Sequence, residues 1–381
     1  MVNTKNKLNI ATTILFVFVL TPFFSVVGIR NAMGEGIYQA WQVISICSLI
    51  FIFLVKNAQI KINWAVLLFT AYEILILFSC AINDRISLGI IAITTASILV
   101  FVLLQTELFY NILSAVGIIV VAVLIINFPF VIQNSANNNA EYFIGGKNAL
   151  GIFLIPGMFL LMISSLEKYN KLSKVTLFVI PFSLITIFIG ASGTGIVVAI
   201  CAILFLLLAI KFKPNKTIYL AVILTIYSLL LLFSDFFLQT DSWFSITSLL
   251  GKDTSLTSRT TIWNLAWDVI KENWLFGAGR GVELSYPNKW EAMILVNEAH
   301  NFILEILLEG GFVALIIFGV LFFKSVCQLN MKNPKHKIIF IALCLLLING
   351  LTESTVNSYL VTMILGVTCR YATKQQKKSL R

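Results

Sequence analysis

Long, uninterrupted apolar runs recur along the whole of this 381-residue chain. Runs such as 8–27, 109–132 and 218–238 are each long enough to cross a hydrocarbon core of about 30 Å as a helix. A backbone inside lipid must satisfy its own hydrogen bonds, and these runs are solid rather than alternating, so they predict helices and not barrel strands. The pattern predicts about twelve transmembrane helices, at residues 8–27, 37–55, 62–82, 86–104, 109–132, 148–166, 174–190, 194–212, 217–238, 300–323, 338–350 and 355–369.

Composition supports an all-α integral membrane protein. Apolar residues make up 59% of the chain and charged residues 12%, whereas a soluble domain carries about 25% charged residues. The first run follows Lys5 and Lys7, which would suit a signal peptide, but it is too long and no small-residue cleavage site follows it. We interpret residues 1–381 as a single polytopic membrane domain.

Lysine and arginine fall unevenly between the predicted loops. With the amino terminus in the cytoplasm, the short outer loops hold only Arg30, Arg85 and Lys147. The inner loops and the tail hold the remaining lysine clusters, so the positive-inside rule predicts that both termini are cytoplasmic. The net charge of +10 is then a topology signal and a contact with anionic lipid, and it does not indicate nucleic-acid binding.

One large extracytoplasmic loop, residues 239–299, separates the ninth and tenth spans. Within it, residues 258–274 predict a helix with Ser258 as N-cap. Trp263, Trp267, Ile270 and Trp274 share one helical face. Tryptophan favours the membrane–water boundary, so we expect an interfacial amphipathic helix that lies flat on the outer leaflet.

The residues that can carry chemistry gather in and after this loop. His300 stands where the loop re-enters the membrane, and a histidine there is either an interfacial cap or a proton acceptor. Arg259 and Arg280 are either headgroup-contacting cations or bidentate phosphate ligands. Glu305 and Glu73 lie within predicted spans, where a carboxylate must face protein or water.

The second histidine and the cysteines are not predicted to have a functional role. His336 lies in a predicted cytoplasmic loop and is expected to be a solvated residue. The six cysteines lie in or near the spans with no metal-ligand spacing. We therefore expect no metal, no cofactor and no disulfide bonds.

Six short motifs resemble the O-antigen ligase and polymerase family of polytopic membrane glycosyltransferases. They are G-K-N-A-L-G at 146–151, S-G-T at 192–194, R-T-T-I-W at 259–263, W-L-F-G-A-G-R-G at 274–281, H-N-F-I-L at 300–304 and E-G-G-F at 309–312. The resemblance covers residues 140–320, and the first five spans match only in hydropathy.

The resemblance implies glycan transfer from a polyprenyl-diphosphate-linked donor to a glycan acceptor at the outer face of the cytoplasmic membrane. Arginines would stabilise the diphosphate leaving group and His300 would deprotonate the acceptor hydroxyl. A chain-length regulator and a flippase would be partners. The implied catalytic residues are Arg259, Arg280, His300 and Glu305, and the implied substrate contacts are Lys147, Asn148, Ser192, Thr194, Gly277, Gly279 and Asn301.

The chain departs from the family pattern at Gly193, where many members have arginine. Either Lys147 supplies the missing cation, or the diphosphate relies on Arg259 and Arg280. Within the family, a repeat-unit polymerase is preferred over a ligase that moves finished polymer. Outside it, a polysaccharide or small-molecule transporter and a non-catalytic membrane scaffold are the alternatives. No paired, glycine- or proline-interrupted spans support the transporter.

The lysine asymmetry generates a topology prediction. In a cysteine-free background, a cysteine at position 283 should react with a membrane-impermeant maleimide in intact cytoplasmic membranes, because it lies in the outer loop. A cysteine at position 332 should react only after permeabilisation. The opposite pattern would contradict the predicted topology.

Overall fold

The computed structural model describes residues 9–55, 62–135, 140–190, 192–211, 215–232, 255–287, 293–355 and 358–379. The predicted all-helical architecture is confirmed in this part of the chain. Two short antiparallel ribbons pair β1 (Glu141–Tyr142) with β2 (Gly145–Gly146), and β3 (Leu284–Pro287) with β4 (Met293–Val296). The helices are α1 (Ile10–Leu20), α2 (Val27–Met33), α3 (Glu35–Val55), α4 (Trp64–Ile82), α5 (Leu88–Leu104), α6 (Phe109–Asn134), α7 (Ala149–Tyr169), α8 (Lys174–Ile189), α9 (Gly193–Lys211), α10 (Lys216–Leu232), α11 (Ser255–Glu272), α12 (Phe302–Cys327), α13 (Pro334–Asn349) and α14 (Tyr359–Ser379).

Each predicted span coincides with one of these helices. Among the described residues, five helices are long and apolar enough to cross a membrane, namely α3, α4, α6, α7 and α12. A sixth span results if α1 with its 3-10 extension and α2, which are bent by 89° to each other, are counted as one. The total of twelve spans and the cytoplasmic termini stay predictions. The end of the ninth predicted span and residues 239–254 of the loop lie outside the described residues.

α7 and α13 lie at the centre of the bundle. α7 packs on α6, α8, α9, α13 and α14, and α13 packs on α7, α9, α10 and α14. Residues 339–347 of α13 are all buried, because a helix that is apolar on every side is stable only when neighbouring helices surround it. The amino-terminal end of α7 and the carboxy-terminal end of α13 meet at the candidate site.

α12 is interrupted at Gly311, whose backbone is left-handed (φ 64°, ψ −165°). The segment 274–279, which follows α11, fills the interruption. Four main-chain hydrogen bonds join the two segments: Ala278 N–H to Leu308 O (2.7 Å), Gly279 N–H to Glu309 O (3.1 Å), Phe312 N–H to Trp274 O (2.9 Å) and Val313 N–H to Leu275 O (3.2 Å).

The two main-chain segments lie so close together that a side chain at Gly277 or Gly311 would collide with the other segment. A Cβ on Gly277 would lie 2.5 Å from the main-chain carbon of Glu309, and one on Gly311 would lie 2.4 Å from that of Leu275. The N–H of Gly277 also bonds to Asn273 O at 2.8 Å. The N–H groups of Gly277 and Gly279 both have protein acceptors, and the expected role of these glycines as substrate contacts stays a prediction.

The helix predicted in the outer loop is confirmed, although α11 begins at Ser255, three residues before the expected N-cap Ser258. Its apolar face is not free to lie on the leaflet. Trp263 and Ile270 are 3% and 2% exposed and pack in one cluster with residues of α12. Trp274 lies beyond the helix end and is 57% exposed. The interfacial interpretation is therefore wrong for Trp263, because α12 and not lipid covers this face.

Contacts between helix ends agree with the predicted grouping of the loops. At the predicted outer side, the side chains of Asn83 and Arg85 donate to the carbonyls of Gly277 and Gly281 at 3.2 and 3.1 Å. At the predicted inner side, three basic side chains reach main-chain carbonyls of other helices: Lys216 to Cys327 O (2.7 Å), Lys337 to Ala209 O (2.8 Å) and Arg370 to Leu104 O (2.9 Å).

The interruption of α12 generates a stability prediction. Gly311→Ala should strongly reduce the amount of folded protein, because its side chain collides with the 274–279 backbone and its φ is unfavourable for alanine. Gly319→Ala, in the same helix with no atom within 4 Å of the added Cβ, should match the wild type or gain up to about 1 kcal/mol. Thermal unfolding in detergent measures both. Equal melting temperatures would refute the close contact.

Candidate active site

Glu353 lies in the turn after α13 and joins residues from three other segments. It is 2% exposed. Its carboxylate accepts a hydrogen bond from Nη2 of Arg259, and its Oε1 lies 3.3 Å from Oγ1 of Thr194. Its Oε2 lies 3.8 Å from Nδ1 of His300. Arg259, Thr194 and His300 come from α11, α9 and the end of the outer loop, so one carboxylate connects elements far apart in sequence.

A second set of contacts adds the start of α7 to this site. Ser192 donates to Oδ1 of Asn148 at 3.2 Å, and the hydroxyls of Thr194 and Thr352 lie 3.0 Å apart. The structure therefore brings together four predicted site residues from three separate sequence motifs: Asn148, Ser192, Thr194 and Arg259.

The amino-terminal ends of α7, α9 and α12 all meet at this site. The start of a helix carries a partial positive charge, which favours a nearby anion. At α12 the first N–H groups are already satisfied, because Oδ1 of Asn301 accepts from Ile303 and Leu304 at 3.1 Å each. Its Nδ2 donates to Leu351 O at 3.1 Å. Asn301 therefore caps α12 and holds the Glu353 turn, and its expected role as a substrate contact stays a prediction.

His300 has a strained backbone, with φ 48° in the left-handed region. Such a conformation costs about 1–3 kcal/mol and persists where the surrounding structure fixes it. The cap at Asn301 and the Phe302 N–H to Gly350 O bond of 2.7 Å supply that constraint. Nδ1 is buried without a hydrogen-bond partner among the described residues, while 29% of the side chain is exposed. The exposed part therefore lies on other atoms of the side chain.

Glu305 lies in the first turn of α12, beside the Glu353 turn. It is 2% exposed and accepts hydrogen bonds from Ala299 N–H at 2.6 Å and from the Ser354 hydroxyl at 2.8 Å. It belongs to the same cluster as His300 through these neighbours. Its catalytic role stays a prediction.

Arg280 lies in a second cluster with different partners. Its guanidinium contacts Glu73 at 3.3 Å, Glu309 at 3.2 Å and Thr94 at 3.0 Å. Burial alone would lower the pKa of Arg280, but the charges of Glu73 and Glu309 outweigh it and raise the pKa above its ordinary value. All three guanidinium nitrogens of Arg280 thus contact protein groups, and its expected role as a phosphate ligand stays a prediction.

Two further residues bear on the sequence predictions. Lys147 is half-buried and directly precedes Asn148, so it stands at the edge of the Glu353 cluster. His336 is 6% exposed, accepts from Asn330 N–H at 2.9 Å and stacks on Tyr371. The expectation that His336 is solvated is therefore wrong, because its ring packs between α13 and α14.

Glu353 was not predicted from the sequence. A signal was present, because Thr352–Ser354 is the polar turn between two apolar runs on the predicted outer side. A carboxylate in so short a turn lies close to the membrane core and needs a cationic partner. Only the fold shows that the partner is Arg259.

The fold and site define a multi-pass, all-helical membrane protein with buried charges grouped at the ends of its helices. A family model described as O-antigen ligase matches residues 177–319. The match confirms the resemblance, and residues 177–319 are similar to the O-antigen ligase family. It includes Arg259 and His300, but neither Asn148 nor Glu353, which the structure adds to the same site. The comparison with curated proteins gives no match.

The second cluster generates a prediction about Arg280. Arg280→Ala should lower the melting temperature and the amount of protein in the membrane. It leaves Glu73 and Glu309 buried without their cation, a change that typically costs about 3–5 kcal/mol.

Lys271→Ala is the matched control, because its ion pair with Asp268 is exposed and worth about 0–1 kcal/mol. If Arg280→Ala accumulated and unfolded like the wild type while losing activity, a substrate contact would replace the structural role.

Proposed function

We propose that this protein is a surface-polysaccharide polymerase. It transfers glycan from a polyprenyl-diphosphate-linked donor to a glycan acceptor at the outer face of the cytoplasmic membrane. The observation that carries the proposal is the convergence of Arg259, His300 and Thr194 on buried Glu353. A proton acceptor and a cation thus lie together where several helices begin.

In the proposed reaction, the acceptor hydroxyl oxygen attacks the anomeric carbon of the donor. The bond between that carbon and the phosphate oxygen breaks, and its electron pair leaves with the diphosphate. The hydroxyl proton moves to Nε2 of His300, since Nδ1 is buried and faces Glu353. Glu353 would accept a hydrogen bond from Nδ1–H and stabilise the imidazolium that forms.

The growing charge on the diphosphate is matched by two features of the site. Arg259 provides a guanidinium suited to bidentate phosphate contacts. The beginnings of α7 and α9 add their partial positive charges. Lys147, next to Asn148, is the proposed further cation in place of the arginine that Gly193 lacks. Electrostatic stabilisation of this kind is usually the largest contribution to such catalysis.

A ligase is the second candidate, because the matching family model is described as O-antigen ligase. Both activities need the same donor and the same proton acceptor, and they differ in the acceptor. A deletion strain would distinguish them on a gel of surface polysaccharide. Loss of long chains with single units retained would indicate the polymerase, and finished polymer left on its lipid carrier would indicate the ligase.

The assignment of His300 as proton acceptor generates a kinetic prediction. His300→Ala should accumulate normally and bind lipid-linked donor, yet transfer glycan more slowly by about 10²–10⁴-fold, the usual contribution of general-base catalysis. His300→Gln should not restore the rate, because an amide cannot take the proton. Single-turnover assays of purified protein measure both.

Glu283→Gln is the control, because Glu283 is an exposed titratable residue of the same loop and should leave the rate unchanged. Full turnover by His300→Gln would remove the base assignment and would leave Glu305 as the next candidate.

A further inference from the structure

The carboxylate of Glu353 has two cationic or hydrogen-bonding neighbours that compete for it. Arg259 holds it now through a buried ion pair, with side-chain exposures of 9% and 3%. His300 Nδ1 lies 3.8 Å from the other oxygen, which is beyond the range of a hydrogen bond. The contact must shorten by roughly half an ångström before His300 can donate to Glu353.

Among the described residues, Nδ1 of His300 has no hydrogen-bond partner. A buried polar atom without a partner is uncommon and energetically unfavourable. His300 is also held with a left-handed backbone, which keeps the ring beside Glu353. The proposed base, His300, therefore lacks its orienting partner, because Glu353 is bonded to Arg259.

A diphosphate would compete with Glu353 for Arg259. Both are oxyanions that a guanidinium binds through charge-assisted hydrogen bonds. A diphosphate carries more negative charge than one carboxylate, and the helix ends at α7 and α9 favour it further. Once Arg259 turns to the diphosphate, Glu353 loses its cation, and His300 is the group that can replace it.

We propose that Glu353 is exchanged between Arg259 and His300 when the donor binds. In the free protein it holds Arg259, and in the donor complex it orients His300 by accepting the Nδ1–H. Glu353 is thus a positioning residue that makes the base competent only after the diphosphate is in place. The identification of His300 as the base rests on the proposed function. The competition between Glu353 and the diphosphate for Arg259 does not rest on it.

The exchange predicts opposite effects of Glu353→Gln on binding and on rate. The variant removes the competing charge but keeps the size and an accepting oxygen, so Arg259 is more available to an anion. Inorganic pyrophosphate, measured by calorimetry with the purified protein, should bind about tenfold more tightly, within the usual range of coupling between sites. In the transfer assay, kcat should fall by about tenfold or more, because an amide stabilises the imidazolium poorly.

Glu283→Gln is the matched control. Glu283 is an exposed carboxylate of the loop that ends at His300, and its removal changes the net charge of the protein equally. Pyrophosphate affinity should change by less than about threefold, because exposed charges are screened. Equal tightening by both variants would overturn the exchange, since the effect would then be general electrostatics.

Unchanged or weaker pyrophosphate binding by Glu353→Gln would also overturn it, since Glu353 would then simply hold Arg259 in place. An unchanged kcat would overturn the exchange as well.

If Glu353→Gln does not accumulate, Glu353→Asp replaces it, because the shorter aspartate side chain holds Arg259 less well. Pyrophosphate should again bind more tightly, and no gain would overturn the proposal. The binding assay needs no glycan transfer, so failure of the proposed function and failure of the exchange are distinguishable.

Discussion

A charge buried among membrane helices must be paired, and this requirement organises the protein. An unpaired carboxylate or guanidinium would cost several kcal/mol, and the buried charges of Arg259 and Arg280 are paired with carboxylates from distant segments. Arg259 and Glu353 join the outer loop to the turn after α13. Arg280, Glu73 and Glu309 join the same loop to α4 and α12. The two clusters fix the loop against the bundle at two places.

The two clusters differ in whether their side chains remain accessible to a substrate. Around Arg280 the guanidinium is enclosed by two carboxylates and a hydroxyl, and the adjoining glycines fill the interruption of α12. That arrangement is suited to holding the loop. Around Glu353 a histidine ring is partly exposed and its Nδ1 has no hydrogen bond to the part of the chain that the structure describes, which is suited to chemistry. The same residue types thus serve stability in one place and the proposed transfer in the other.

The sequence predicted the helices well because apolar runs report directly on them, and it predicted that His300, Arg259, Asn148, Ser192 and Thr194 belong to one site. It could not assign partners. Arg259 and Arg280 are both arginines of one polar loop, and only the packing of α4 and α12 shows that Arg280 is enclosed. Glu353 was missed because a single carboxylate in a short turn has no motif. Trp263 was misplaced, since helical periodicity identifies an apolar face without showing whether lipid or protein covers it.

If the proposed function is correct, the protein performs glycan transfer outside the membrane at the Glu353 cluster. The most direct test is to reconstitute the wild-type protein in liposomes, with lipid-linked repeat units supplied to the leaflet on which the outer loop lies. We expect a ladder of lengthening glycans together with release of polyprenyl diphosphate in proportion to the bonds formed. Movement of intact lipid-linked units to the other leaflet, with no new glycosidic bonds and no released diphosphate, would contradict it and indicate a transporter.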